Sequence, residues 1–227
     1  MYKSYRVNDI EIVLSTIGAR PLDVMVTGVT GAGKSTTLNS FFQKTISSVG
    51  SGVDPETMII SSHSLNDSFR LWDTPGLGDG VARDESHSKN ITDLLYKSYS
   101  SDEGSHGFID LVLIIIEGSN RDMGTTYRLL NEIVVPNFQK ERILVAINQA
   151  DMAMKGRHWN YSLNKPETKL KEFLEAQSTS IKSRVKEATG VDIIKPIYYS
   201  AEYNYNIDKL FDLIINNMPQ SKRALKI

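Results

Sequence analysis

The chain has 227 residues, of which 40% are hydrophobic and 23% charged, enough for one well-buried domain of ordinary globular composition. Its formal net charge of −1 gives no basic field that would favour nucleic acid, so we predict no direct nucleic-acid partner. The absence of cysteine excludes disulfides, thiol catalysis and cysteine-based zinc sites. The longest strongly apolar run, residues 111–116, is shorter than the roughly 20 residues of a membrane-spanning helix, so we expect no transmembrane segment and a cytoplasmic location.

Apolar runs of strand length alternate with longer segments of helical period, which is typical of a mostly parallel sheet with crossover helices. The predicted strands are residues 22–27, 58–64, 68–73, 111–116, 143–148 and 193–199. The predicted helices are residues 34–43, 86–100, 125–134, 166–189 and 207–218. Strands 58–64 and 68–73 are expected to pair as an antiparallel hairpin, and Pro196 indicates an edge position for the last strand. We divide the chain into an N-terminal helical extension (1–20), one nucleotide-binding domain (21–220) and a C-terminal tail (221–227).

Residues 28–35 read Gly-Val-Thr-Gly-Ala-Gly-Lys-Ser and match the phosphate-loop pattern G-x-x-x-x-G-K-[ST] in full. The segment follows a predicted strand and opens a predicted helix. Glycines let successive backbone N–H groups point at phosphate oxygens, and the helix amino terminus adds partial positive charge. Lys34 would contact the β- and γ-phosphates, and the Ser35 hydroxyl is a suitable Mg²⁺ ligand. The complete pattern and its flanks disfavour the alternative, a glycine-rich turn without a ligand.

An acid ends the predicted strand 68–73, where the chain reads Asp73-Thr-Pro-Gly76. Carboxyl ends of parallel strands face the ligand crevice, so Asp73 can hold the magnesium shell from the side opposite Ser35. Gly76 offers an N–H group with no side chain in the way, which suits a contact with the γ-phosphate. Read alone, the same four residues are good turn chemistry.

The predicted strand 143–148 ends at Asn148, the first residue of the sequence Asn148-Gln-Ala-Asp151. A carboxylate here would accept hydrogen bonds from N1–H and the 2-amino group of guanine, whereas adenine presents a bare N1 and no 2-amino group. Asn148 would tie this loop back to the phosphate loop. Backbone N–H groups at Ser200 and Ala201, after the last strand, could meet the guanine oxygen. Asn-x-x-Asp also occurs where polar residues cap helices. The guanine-binding interpretation therefore depends on the position of the motif at the end of this strand.

These four motifs in this order resemble the Ras-like, translation-factor-related GTPase superfamily, from about residue 22 to residue 218. The phosphate loop and the Asp-Thr-Pro-Gly-Leu sequence look like the Era-like and septin-like branch, and residues 148–159 and 198–202 look like small prophage-type GTP-binding proteins of enteric bacteria. The resemblance implies a three-layer α/β/α phosphate-loop fold (a Ras-like G domain), with a mostly parallel six-stranded sheet and one antiparallel strand. It implies GTP or GDP and Mg²⁺ as ligands, and a threonine of the first switch loop that closes on the metal. Thr57 is the matching position and Thr45 is the alternative.

The predicted nucleotide site contains three sets of residues. The predicted nucleotide-binding residues are Thr30, Gly31, Ala32, Gly33, Lys34, Ser35, Thr36, Asn148, Gln149, Asp151, Ser200 and Ala201. The predicted metal ligands are Ser35, Thr57 and Asp73, and the predicted catalytic residues are Lys34, Thr57 and Gly76.

Two positions depart from the family pattern. Gln149 stands where the guanine motif normally has lysine, which predicts modestly weaker nucleotide affinity with unchanged specificity. Leu77 stands where Ras-like switches carry a water-orienting glutamine, so catalytic help would have to come from a homodimer across the nucleotide face, another protein effector, or a cation. The cation route is not supported, because potassium-activated members carry asparagine at the position of Gly31.

We therefore predict a GTPase with slow intrinsic hydrolysis that acts as a regulatory switch or is activated by dimerisation. The alternatives are a GTP-binding assembly module that does not hydrolyse GTP and, less favoured, a phosphate-loop ATPase or kinase. Arg83 and Arg121 could act as arginine fingers but are interpreted as surface residues. The histidines are interpreted as structural or surface residues, with His87 the one to test for catalysis, and Trp159 as a hydrophobic anchor beside the base site.

Overall fold

The computed structural model describes residues 2–19, 21–43, 60–78, 80–102, 104–119 and 123–225. Its centre is a six-stranded sheet in the order β10-β7-β6-β1-β3-β2. The strands of this sheet are β1 (Leu22–Gly28), β2 (Ser61–Asn66), β3 (Phe69–Asp73), β6 (Leu111–Glu117), β7 (Ile143–Asn148) and β10 (Ile197–Tyr198). All neighbours pair in parallel except β2 and β3, which form the antiparallel hairpin. The predicted fold class is confirmed.

Two short hairpins lie outside the main sheet. One pairs β4 (Ser98–Ser101) with β5 (Gly104–Gly107), and the other pairs β8 (Trp159–Asn160) with β9 (Lys165–Pro166). Neither was predicted, and the first replaces the end of the helix expected at 86–100.

Helices cover both faces of the sheet. The helical segments are α1 (Val7–Ile17), α2 (Lys34–Phe42), α3 (Val81–Tyr96), α4 (Gly124–Arg128), α5 (Val135–Asn137), α6 (Thr168–Thr189) and α7 (Ile207–Asn216). A π-helical segment, Leu129–Val134, joins α4 to α5, so the helix predicted at 125–134 is regular only at its start. Among the described helices, none combines the length and apolar composition of a bilayer crossing.

Strand β6 shows why the domain has three layers. All its residues but the last are buried, and they alternate between the two faces. Val112, Ile114 and Ile116 pack in a core with buried residues of α3, of the π-helical segment and of α6. Leu111, Leu113 and Ile115 pack in a second core with α1, α2 and α7. Because successive side chains of a strand point to opposite faces, the apolar run 111–116 contributes to both cores.

The last strand is much shorter than predicted. Of residues 193–199, only Ile197–Tyr198 pair with β7, at one edge of the sheet. Pro196 has no N–H to donate to the ladder, which limits pairing on its side. The edge position inferred from Pro196 is correct.

The described part of the C-terminal tail packs against the amino ends of the strands, away from the carboxyl ends where the predicted site lies. Arg223 is 1% exposed, donates to the carbonyl oxygens of Ile109 (2.7 Å) and Leu95 (2.5 Å), and lies over the ring of Phe138. Burial, followed by repulsion from Arg142, lowers the pKa of Arg223 to about 10, so it stays charged near neutral pH.

Candidate nucleotide-binding site

The phosphate loop lies between the end of β1 and the start of α2, as its pattern predicts. At Gly28, a side chain would collide with the carbonyl of Ile115 on the neighbouring strand β6. Gly33 has φ +82° and leaves no room for a side chain beside the Asn148 amide. These two glycines are needed for close approach and for a left-handed backbone respectively.

Lys34, Thr30 and Gly76 converge on the hollow of this loop. Lys34 is 7% exposed, and its ammonium donates to the carbonyls of Gly28 (3.2 Å) and Val29 (3.0 Å). A Cβ atom at Gly76 would lie 2.8 Å from Lys34 Nζ and 2.7 Å from the Thr30 nitrogen. The Asp-Thr-Pro-Gly sequence therefore reaches the phosphate loop directly, and only a glycine fits at its end.

Ser35 and Asp73 form a pair of oxygen donors next to that hollow. Ser35 Oγ lies 3.4 Å from Asp73 Oδ2, and Asp73 is 1% exposed at the carboxyl end of β3. A hydroxyl and a carboxylate are ligands that Mg²⁺ accepts, and Mg²⁺ commonly takes its remaining ligands from waters and substrate phosphates. This donor set fits the predicted metal.

Leu77 does not point toward the phosphate loop. Its side chain is 1% exposed in the core on the α3 face, while its carbonyl accepts a 2.8 Å hydrogen bond from the Thr30 N–H. Only backbone groups of residue 77 therefore reach the loop.

Helix α3 holds the segment after Asp73 in place through two side chains. His87, 2% exposed, donates from Nδ1 to the carbonyl of Gly76 at 2.7 Å, and Asp84 accepts from the N–H of Gly78 at 2.9 Å. Arg128 in turn pairs with Asp84 at 3.3 Å. Asp84 and Arg128 were missed from the sequence. The i, i+3 spacing of Asp84 and His87 puts both on one face of a helix, a signal hidden by placing the helix start at residue 86.

Asn148 joins three loops. Its amide nitrogen donates to the Ala32 carbonyl at 2.9 Å, and its oxygen accepts from the Ala201 N–H at 3.0 Å. Gln149, in a left-handed conformation with φ +59°, donates to the Gly31 carbonyl at 2.8 Å. The tie from Asn148 to the phosphate loop is as predicted, and Gln149 adds a second tie that the sequence did not reveal.

Asp151 lies in a cavity of about 670 Å³ beside this junction. It is 5% exposed, and its Oδ1 accepts no hydrogen bond from any residue that the structure describes. The cavity is lined by the predicted residues Gly33, Thr36, Asn148, Gln149, Asp151 and Ser200. It is also lined by Glu117, Ser119, Met152, Lys155, Glu202 and Tyr203, which were not predicted. No motif marks these six residues, because they come from three stretches that are distant in sequence: 117–119 at the end of β6, 152–155 and 202–203.

A family model described as a 50S ribosome-binding GTPase matches residues 23–149, more than half of the chain. The chain belongs to this GTPase family. No curated protein matches the chain in sequence. The narrower resemblance to septin-like or prophage-type proteins stays a prediction.

Solved structures of GTPases share the fold of this chain at low sequence identity. Aquifex aeolicus Era bound to GDP·AlF4⁻ matches with TM-score 0.58 and 16% identity, over 88% of this chain and 57% of the Era chain. Toc33 from Arabidopsis thaliana, in complex with Mg²⁺ and GMPPNP, matches with TM-score 0.62 and 15% identity, over 100% of this chain and 98% of the Toc33 chain. A further match has TM-score 0.63 and 15% identity, over 100% of this chain and 96% of the matched chain. It comes from work described as showing that dimerisation is important for the GTPase activity of the chloroplast translocon components atToc33 and psToc159. The chain thus spans less than two thirds of the Era chain but nearly all of the two matched Toc chains.

The predicted site residues that the structure describes gather at the carboxyl ends of β1, β3, β7 and β10. Thr57 and its alternative Thr45 lie outside the described residues, as does Arg121. Arg83 is exposed on α3, in line with its interpretation as a surface residue. Trp159 is 4% exposed in the core, and it also touches an aromatic residue of the cavity wall.

Proposed function

We propose that the chain binds GTP with Mg²⁺ and hydrolyses it slowly, acting as a regulatory switch or as a dimer-activated GTPase. One observation carries the proposal. A buried carboxylate, Asp151, faces a cavity of about 670 Å³ that also contains Gly33 of the phosphate loop. Phosphate-binding and base-binding groups thus open into one space.

The carboxylate selects the base. Guanine offers two adjacent donors, N1–H and the 2-amino group, that match a carboxylate. Adenine would leave Asp151 buried and unpaired, and sites built in this way reject the analogue by factors of roughly 10⁴ or more. To meet the guanine oxygen, the Ala201 N–H would have to leave Asn148 Oδ1, and the Ser200 N–H would have to leave the Tyr205 carbonyl.

The phosphates would occupy the hollow of the loop. Lys34 would exchange the carbonyls of Gly28 and Val29 for β- and γ-phosphate oxygens, with the N–H groups of Gly31 to Thr36 around them. Mg²⁺, held by Ser35, Asp73 and Thr57, would supply charge that offsets the negative charge developing on the phosphates. The N–H of Gly76 would contact the γ-phosphate, and water would attack in line.

Leu77 is the reason for slow turnover. An apolar side chain buried in the core cannot orient the attacking water. Help from a partner is worth up to about 10⁵-fold in GTPases, or roughly 7 kcal/mol of barrier. The same residue supports the second candidate, a GTP-binding assembly module that does not hydrolyse its nucleotide.

Hydrolysis per molecule, measured over a wide range of protein concentration, tests the proposal. We expect a rate on the order of 10⁻⁴ to 10⁻² per second for the monomer, abolished by Lys34→Ala. A rate per molecule that rises with concentration supports dimer activation, with one protomer acting across the nucleotide face of its partner. Turnover of tens per second by the monomer contradicts the proposal, and binding without hydrolysis at every concentration favours the assembly module.

A further inference from the structure

Three aromatic residues form a small cluster at the edge of the base cavity. The ring of Tyr203, which lines the cavity, lies 5.8 Å from the ring of Trp159 and 5.8 Å from the ring of Tyr161. Trp159 is 4% exposed and itself packs edge-on against Tyr205 at 5.3 Å. Tyr203 therefore rests on a buried anchor while 36% of its own surface stays exposed.

The backbone around Tyr203 is fixed on both sides. Ser200 and Tyr205 exchange two backbone hydrogen bonds of 3.0 Å, which close a tight turn that contains Tyr203. The Tyr203 N–H donates to Ser200 Oγ at 3.3 Å, and the Asn164 amide donates to the Tyr203 carbonyl at 2.6 Å. An aromatic ring held in this way loses little conformational entropy when a ligand stacks on it.

The position of Gln149 leaves the face of a bound base without a flat apolar contact, which an aromatic ring could supply. The Gln149 amide nitrogen donates to the Gly31 carbonyl at 2.8 Å, which holds the Gln149 side chain against the phosphate loop at the cavity wall. The edge of a purine in this cavity would be satisfied by Asp151, but its faces need flat apolar contacts. Among the described residues that line the cavity, Tyr203 is the one aromatic residue.

We propose that Tyr203 stacks on the guanine ring and contributes affinity for the base, with Trp159 as its support. The inference rests on the proposed function, because it assumes that guanine occupies the Asp151 cavity. Base-on-aromatic stacking does not depend on which base is present, so Tyr203 would strengthen binding while Asp151 sets the specificity. Burial, followed by the nearby Tyr161, Asp151 and Glu202, raises the pKa of Tyr203, so the stacking ring is a neutral phenol at neutral pH.

The test compares GDP affinity, by calorimetry, in wild type and three variants. Tyr203→Ala is expected to bind GDP about 5- to 100-fold more weakly, since alanine substitution at base-stacking positions has effects of that size. Tyr203→Phe keeps the ring and is expected to stay within about twofold of wild type. Tyr161→Ala is the matched control, because it removes a more exposed tyrosine of the same cluster that does not line the cavity.

Inorganic pyrophosphate serves as a ligand without a base, and its affinity is expected to be equal in all four proteins. GDP is also expected to change the tryptophan emission of wild type through Trp159, and to change it less in Tyr203→Ala. Unchanged GDP affinity in Tyr203→Ala overturns the stacking role while leaving the proposed function intact. An equal loss of GDP and pyrophosphate binding overturns it too, because the defect would then be global. Failure of wild type to bind GDP would instead refute the proposed function.

Discussion

Substituting Asp151 by asparagine should exchange one base preference for another. The carboxylate can accept two hydrogen bonds from guanine, whereas an amide accepts one and must donate the other. Xanthine carries a carbonyl oxygen where guanine carries its 2-amino group, so it matches the amide. Asp151→Asn should therefore weaken GDP binding and strengthen binding of xanthosine diphosphate.

The magnitude follows from the burial of Asp151. The residue is 5% exposed, and a hydrogen bond to a buried charged group is worth about 1.5–3 kcal/mol. Losing one such bond and opposing an amino group to the amide should cost about 2–4 kcal/mol, or roughly 30- to 1000-fold in GDP affinity. The nucleotide-free variant should be at least as stable as wild type, because a buried carboxylate oxygen without a described partner has been replaced by a neutral group.

Thermal unfolding with and without nucleotide measures both effects. At a GDP concentration about 1000 times the wild-type Kd, binding stabilises the fold by about 4.1 kcal/mol, and a 100-fold weaker variant keeps about 1.4 kcal/mol. For a domain of this size, the GDP-induced rise in Tm should then be smaller by about 5–11 °C. Equal Tm shifts with GDP for the two proteins would refute the contact between Asp151 and the base.

Three other substitutions test separate parts of the structure. His87→Leu removes the hydrogen bond to the Gly76 carbonyl and should lower the rate of GTP hydrolysis about 2- to 10-fold with GDP affinity unchanged. His87→Asn, which can place a donor near Nδ1, should recover most of that rate, and equal rates in both variants would contradict a positioning role. Gly118→Ala places a Cβ 2.9 Å from the carbonyl oxygens of Asn148 and Gln149, so GDP titration should show weaker binding by about tenfold or more, and wild-type affinity would contradict this contact. Arg223→Ala leaves two buried carbonyls without their donor and should lower the free energy of unfolding in urea by about 2–4 kcal/mol, with GDP affinity unchanged; wild-type stability would count against this anchor.

Contiguous motifs explain what the sequence could predict. The phosphate loop is readable because its eight residues carry both the backbone requirement and the ligand groups. Asp73 and Asn148 could be placed near it, because carboxyl ends of parallel strands share one edge of a sheet. The hydrogen bond from the Ala201 N–H to Asn148 was not predicted, because the sequence analysis assigned that N–H to the guanine oxygen.

Long-range contacts explain most of what was missed. The start of α3 has Gly80 as its N-cap and no capping side-chain hydrogen bond, so no sequence signal marks it. The β4–β5 hairpin is rich in serine and glycine, and part of its support comes from the tail, through the bridge from His106 to Ala224 and the bond from Gly107 to the Arg223 carbonyl. Lys155 lines the base cavity on a turn with φ +61°, a backbone conformation that pattern reasoning does not anticipate.

The central claim is that a guanine nucleotide occupies the phosphate loop and the Asp151 cavity together. Titration of the purified protein with labelled GDP in the presence of Mg²⁺, in competition with unlabelled GDP and ADP and beside Lys34→Ala, tests it most directly. We predict saturable binding that GDP displaces, that ADP displaces at least about 1000-fold less effectively, and that Lys34→Ala largely loses. Equal displacement by ADP, or undiminished binding by Lys34→Ala, would contradict the account.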